Sequence, residues 1–205
     1  MKNREKMASR NSKEINSKIK TLDDVLKASK DKKGGLKWGT TFAGGADHVG
    51  IHNFCKAAGN IPYTIVPFKG GGDIVTNLVS GNIEVALLNY AEGESQYGSG
   101  EFRPIVSLSE EPIDALDGVK TARDAGVNAL ASTVRGFACL SGVPQDRVDV
   151  LSNGLVKAMK HGVYQGYLAS GGMPKSSVVG AEKWNAEIRR IYDESTTALT
   201  ELGML

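Results

Sequence analysis

Residues 36–73 read LKWGTTFAGGADHVGIHNFCKAAGNIPYTIVPFKGGGD, two passes of one pattern in which a short β-like run meets a cluster of glycines and then a helical spacing. In the first pass Leu36-Lys37-Trp38-Gly39 leads into Gly44-Gly45, after which Val49, Ile51, Phe54, Cys55 and Ala58 suit one helix face until Gly59 stops it. In the second, Tyr63 to Phe68 leads into Gly70-Gly71-Gly72, and Ile74, Val75, Leu78 and Val79 repeat the helical spacing as far as Gly81. The alternation continues outward: residues 83–88 read as a mostly buried strand, 91–97 as a short helix and 103–108 as a fourth strand. Strands that alternate with helices connect by crossovers, so a mainly parallel, helix-flanked α/β sheet is expected.

Beyond Pro112 the pattern changes. Residues 120–125 suggest a short helix, and 130–140 a long strand or connection broken by Gly136. From Pro144 the chain reads as three helices, 145–160, 163–170 and 181–202, with no strand among them. Helices without a sheet of their own must bury their apolar faces on something else.

Composition bounds the function. At 205 residues, 40% hydrophobic and 23% charged, the sequence is that of a globular protein, and no apolar run approaches the roughly 18 residues of a membrane span. The net charge is +2, and no basic stripe is interleaved with aromatics, which argues against a nucleic-acid partner. The first 20 residues hold seven basic and two acidic side chains but no apolar core, so they do not read as a signal peptide. Cys55 and Cys139 lie outside any CxxC pattern and read as two small buried hydrophobes rather than a zinc or redox pair.

Glycine is the one excess, with 25 residues, about 12% against an average near 7%. A tight glycine turn exposes backbone N–H groups, and the helix after it adds about half a unit of positive charge, which together seat an anion. Three such turns follow the strands. The first offers Thr40, Thr41, Ala43, Gly44, Gly45, Asp47 and His48; the second Lys69, Gly70, Gly71, Gly72 and Asp73; the third Asn89, Ala91 and Glu92. In an open parallel sheet all three share one edge, where ligands of this architecture bind. A single turn of this kind serves strand–helix packing at least as often as binding; three on one edge point to a site.

Other chemistry finds little support. Gly70-Gly71-Gly72-Asp73 is not followed by GK[ST], and no GxGxxG opens a helix, which disfavours nucleotides. His48 and His52 have the spacing of a metal pair but no third ligand, so no metal or cofactor is expected. His161 reads as a helix-end residue, and Asp23-Asp24 and Glu110-Glu111 as solvated carboxylates. No GxSxG elbow or partnered nucleophile is present, and no catalytic residue is assigned.

The stretch from Gly39 to Ile105 resembles the substrate-binding receptors of the tripartite tricarboxylate transporters. Val66-Pro67-Phe68-Lys69-Gly70-Gly71-Gly72 carries the most recognisable part; Thr21-Leu22-Asp23-Asp24, Gly100-Glu101-Phe102-Arg103-Pro104, Arg135-Gly136-Phe137 and Gly142-Val143-Pro144 also match. Lys120-Thr121-Ala122-Arg123-Asp124-Ala125-Gly126 resembles a Pro-Thr-x-x-Glu-x-Gly segment, with Lys120 and Asp124 as departures. The resemblance implies a type II periplasmic-binding-protein-like receptor, not an enzyme, that closes on a small organic carboxylate and hands it to membrane permease subunits. Carried onto this sequence, the ligand loops fall on the three turns, with Lys69 or Arg135 adding positive charge. Arg135 is equally suited to a structural ion pair near a hinge.

The resemblance also divides the chain: a polar basic segment over 1–20, a ligand-binding second lobe over 21–138, and over 139–205 C-terminal helices that belong to an incomplete first lobe. Members of the family have about a hundred residues of first lobe before this point, so a truncated receptor is expected. Two other classes stay open, a small α/β enzyme acting on an anionic substrate through His48 or Asp73, and a non-functional fragment with exposed apolar helix faces.

Overall fold

A computed structural model describes residues 18–205, so the basic N-terminal segment read over 1–20 lies, as far as residue 17, outside the described residues. The first helix lying wholly within the described residues is α1 (Leu22–Asp31), which sequence reasoning missed. Its signal was present as Thr21-x-x-Asp24: the Asp24 amide donates to Thr21 Oγ1 at 3.2 Å, and Asp24 Oδ2 accepts from the Thr21 and Lys20 amides at 2.9 Å each. Those amide donors, the Lys20 amide foremost, hold the Asp24 carboxyl below its usual range.

Three parallel strands follow in the order β2-β1-β3: β1 (Leu36–Thr40), β2 (Tyr63–Pro67) and β3 (Val85–Ala86). Trp38 pairs with Ile65 on one side and Val85 on the other. The expected crossover helices connect them, α2 (Ala46–Ala57), α3 (Gly71–Ser80) and then α4 (Tyr90–Gly98). The core sits between β1, α1 and α2, where Leu36, Trp38, Ile51, Phe54 and Cys55 are almost wholly buried and the Trp38 and Phe54 rings lie 5.7 Å apart. Burial pushes the Cys55 thiol up to about 12, so it is an inert packing group. Glu84 pins the edge before β3 by accepting from the Lys37 amide at 2.7 Å and from Lys32 Nζ at 2.8 Å.

Four expectations need correction. The strand expected over 83–88 shrinks to Val85–Ala86. Residues 103–108 form no strand but a single parallel bridge, Ser107 to Thr121, because Pro104 brings no donor and the backbone partners are few: Lys120 and Ala122 for Ser107, and the Ala131 amide for the Leu108 carbonyl at 3.0 Å. The helix expected over 120–125 is a single turn, with Thr121 Oγ1 donating to Asp124 at 2.8 Å and Gly126 ending it at φ +86°. Residues 130–140 are the connection rather than the strand, tied at one point by the Ala131 amide donating to the Leu108 carbonyl at 3.0 Å, and Cys139 there is exposed, unlike Cys55.

The C-terminal helices form as expected: α5 (Gln145–Met159), α6 (Gly162–Ser170) and the 21-residue α7 (Ala181–Glu201), with a 3-10 turn (Lys175–Ser177) before the last. Their apolar faces are thinly covered. Helix α5 has no buried residue, and α6 and α7 have one each, Leu168 and Ala198. Among the described residues no helix is long and apolar enough to cross a membrane.

Candidate functional site

The three strand-end turns, two of them glycine-bearing, leave the same edge of the sheet. Thr40 at the end of β1 is in register with Pro67 at the end of β2, its carbonyl accepts the Phe68 amide at 2.8 Å, and Gly39 stands beside Ala86 of β3.

The first turn is held by its own side chains. Asp47 Oδ2 accepts the Thr41 hydroxyl at 2.9 Å and the Thr41 amide at 3.3 Å, and the Gly44 amide donates to His48 Nδ1 at 2.9 Å. Because Nδ1 accepts, His48 carries its proton on Nε2. Its pKa is lowered, first by burial and then by the neighbouring His52. Thr40 is fully buried and donates to the Phe42 carbonyl at 3.4 Å, so it braces the turn rather than facing solvent. Gly44 has φ +80°, which favours glycine. The amides of Ala46, Asp47 and His48, the first three of α2, make no hydrogen bond to the described residues, and Ala43 is exposed beside them.

The second turn is barer. The amides of Gly70, Gly71 and Gly72 make no hydrogen bond to the described residues, and Lys69 and Asp73 are exposed. The third turn is capped from within, since Glu92 Oε2 accepts the Asn89 amide at 2.8 Å and the Asn89 side-chain amide at 3.1 Å. The other Glu92 oxygen lies against Gly71, where a Cβ would fall 2.6 Å from it. Only glycine at position 71 allows this approach, and one carboxylate thereby sits at the positive end of both α3 and α4. Ala91 is exposed beside it.

The structure thus brings the second and third turns into contact and sets the first beside them along the strand ends. Arg135 stands apart. It is exposed on the 130–140 connection and makes no ion pair with the described residues. With Asn89, Ala91 and Glu92 it lines an open groove of about 2500 Å³ between the sheet-bearing body and the faces of α5, α6 and α7. Neither the first turn nor residues 69–73 line that groove. Its size exceeds the roughly 300–1,000 Å³ of small-molecule pockets, so volume alone does not mark the anion seat.

The two histidines with the spacing of a metal pair are otherwise engaged. His52 Nδ1 bonds the Tyr63 hydroxyl at 2.9 Å and its Nε2 meets Glu201 at 2.8 Å, while His48 Nδ1 is taken by Gly44. No grouping of three or more His, Cys, Asp or Glu suited to a metal occurs among the described residues. His161 is the N-cap of α6, accepting the Val163 amide at 3.4 Å. Glu110 and Glu111 are exposed, and Glu111 accepts from the Ser176 hydroxyl at 3.1 Å.

A short parallel sheet flanked by helices, with its turns gathered at the strand ends, is a periplasmic-binding-protein-like α/β fold. Solved structures bear out that fold. A TctC solute-binding protein from Polaromonas superposes with a TM-score of 0.76 at 21% identity, over 89% of this chain and 62% of its own. Rpa4515 of R. palustris, solved with adipate, gives 0.67 at 19% over 90% and 62%, and the periplasmic binding protein BugD 0.65 at 14% over 90% and 62%. The chain spans about 62% of the length of these structures. None of the proteins with curated descriptions matches it. The sequence matches the tripartite tricarboxylate transporter family receptor over residues 13–192, and the chain belongs to that family.

Proposed function

We propose that this chain is the ligand-holding part of a periplasmic solute receptor that captures a small organic carboxylate for membrane permease subunits, and that it is not an enzyme. The observation that carries this reading is the run of unbonded amides at Gly70, Gly71 and Gly72, beside a second set at Ala46, Asp47 and His48 on the same sheet edge. Two helix N-termini with free donors suit the two oxygens of a carboxylate, with the Lys69 ammonium adding long-range attraction. The adipate in the R. palustris relative supports a carboxylate as the ligand class.

Residues 21–138 form the ligand lobe in this reading, and 139–205 belong with a further layer. The apolar groove runs along the faces of α5, α6 and α7, and in hinged receptors of this kind a second lobe that closes over the ligand tightens binding. Thermal unfolding of the 205-residue chain against mono-, di- and tricarboxylates tests the proposal. A midpoint that rises with concentration for one acid is expected, with the rise reduced in Lys69→Ala and abolished in Gly72→Pro, which removes a seat amide. A cooperative transition unmoved by every acid at millimolar concentration would overturn it.

A further inference from the structure

The last turns of α7 touch α2 at both of its ends. Near the C-terminus of α2, one Glu201 oxygen meets His52 Nε2 at 2.8 Å and the other pairs with Lys56 Nζ. His52 and Lys56 are four residues apart on one face of α2, so a single carboxylate from α7 spans them. Through its other nitrogen His52 reaches the Tyr63 hydroxyl on β2 at 2.9 Å, which ties three elements together. At the opposite end of α2, Met204 and Leu199 lie against Gly44 of the first turn, where a Cβ would stand 3.4 Å from Met204 Sδ and 3.6 Å from Leu199 Cδ2. Ala198, the one buried residue of α7, directly precedes Leu199.

We infer that the C-terminal end of α7 is a clasp that positions the amide-bearing first turn, with Glu201 as its ionic jaw and Leu199 with Met204 as its apolar jaw. Glu201 acts through α2 and is a positioning residue; its bearing on ligand capture rests on the function proposed above, while the clasp itself rests on the contacts alone. The far end of α7 leans on the 130–140 connection, where the Trp184 ring lies so close to Gly136 that a Cβ there would fall 2.2 Å from it. At about 1.5 Å per residue α7 is about 31 Å long. Trp184, Glu187 and Arg190 line the groove, so the same helix that lines the groove at one end steadies the first turn at the other.

The clasp has a sign in pH. Hydrogen bonds from Lys56 and then His52 hold the Glu201 carboxyl below its ordinary value of 4.5. The ionic jaw is therefore complete above about pH 4.5 and is lost as the pH falls through the depressed value. The charged and titratable groups facing it are His52 and Lys56 on α2, with Tyr63 on β2 reached through His52 and His48 one turn further along α2.

Amide hydrogen exchange of the full chain, without ligand, tests the clasp. Glu201→Gln keeps the shape and removes the charge. It is expected to speed exchange about threefold to tenfold both at residues 195–204 and at the hydrogen-bonded first-turn amides of Gly44, Gly45 and Val49, leaving residues 73–75 unchanged. Met204→Ala, which spares the ion pairs, is expected to speed exchange at those three first-turn amides as well. After correction for intrinsic rates, the wild type's first-turn exchange rises as the pH falls below about 4.5, and Glu201→Gln lacks that rise. Faster exchange confined to 195–205 in both variants, or the same acid response in wild type and Glu201→Gln, would overturn the clasp. Failure of every carboxylate to bind would overturn the receptor reading instead.

Discussion

Residues 36–80 and residues 145–201 both carry the spacing of amphipathic helices, and both form the helices that spacing asks for. They differ in what the apolar faces meet. Helix α2 buries six of its residues, Ile51 and Phe54 among them, against β1 and α1, whereas α5 buries none and leaves Val150 and Leu151 more than half exposed. Helix formation is a local outcome of periodicity and propensity, but stability comes from the partner that receives the apolar face. The same signal in the sequence therefore stands for a core in one region and for an uncovered face in the other.

The largest expected effect contrasts the two faces directly. Phe54→Ala removes a ring that is 2% exposed and packs on Trp38, and is expected to cost about 3–5 kcal/mol in urea unfolding. Leu151→Ala, at a side chain 57% exposed, is expected to change stability by less than about 0.5 kcal/mol. A cost above about 2 kcal/mol at Leu151 would break the contrast, because only a covered leucine loses that much.

This difference decides how much was legible. The β1-α2-β2-α3 body was readable because each strand–glycine–helix unit closes on its neighbour, and the turn amides followed from the same glycines. Helix α1 was overlooked although Thr21 and Asp24 form its capping box. The strand expected over 103–108 failed because strand character needs a partner that local composition does not specify, and its apolar residues found partial cover without a ladder. At the candidate site, the types of residue were legible but their engagements were not: that Asp47 is bound to Thr41 depends on how the turn closes, and that Glu92 lies on Gly71 and Glu201 reaches back to His52 are contacts across the fold. The Thr41 and Asp47 side chains satisfy each other, so the free amides carry more of the proposed binding than the hydroxyls do.

A pair of histidines sharpens the comparison at smaller scale. His48 lies in the body, 4% exposed, with a depressed pKa; His161 caps α6 in the helical region through a 3.4 Å bond. For His48 the folded state binds its proton more weakly than the unfolded chain does. Its contribution is thus fully present above pH 6.5 and is lost as the pH falls below that value toward the folded one. His48→Gln, which removes the titration, is expected to flatten the fall in urea midpoint as the pH drops below about 6.5, with a cost of about 1 kcal/mol at neutral pH. His161→Gln is expected to cost about half of that, the worth of a long, exposed cap. Equal pH slopes in wild type and His48→Gln would show that His48 stays as accessible to protons in the fold as in the unfolded chain.

The smallest expected change in stability belongs to the uncovered face itself. Val150 is 72% exposed and Leu151 57%, with Leu140, Val163 and Tyr192 exposed elsewhere in the same half of the chain. Replacing both with serine removes apolar surface that contributes little to folding while it faces water, so the double variant should keep its urea midpoint to within about 0.5 kcal/mol. A hydrophobic dye reads that surface directly, and its fluorescence on the folded chain is expected to fall in the double variant, along with any tendency to associate. The two readouts separate the cases. A stable variant with less dye bound means that the face is open in the isolated chain. A destabilised variant with dye binding unchanged would mean that these side chains are already covered, and α5 would then belong with α2 as a helix that has found its partner.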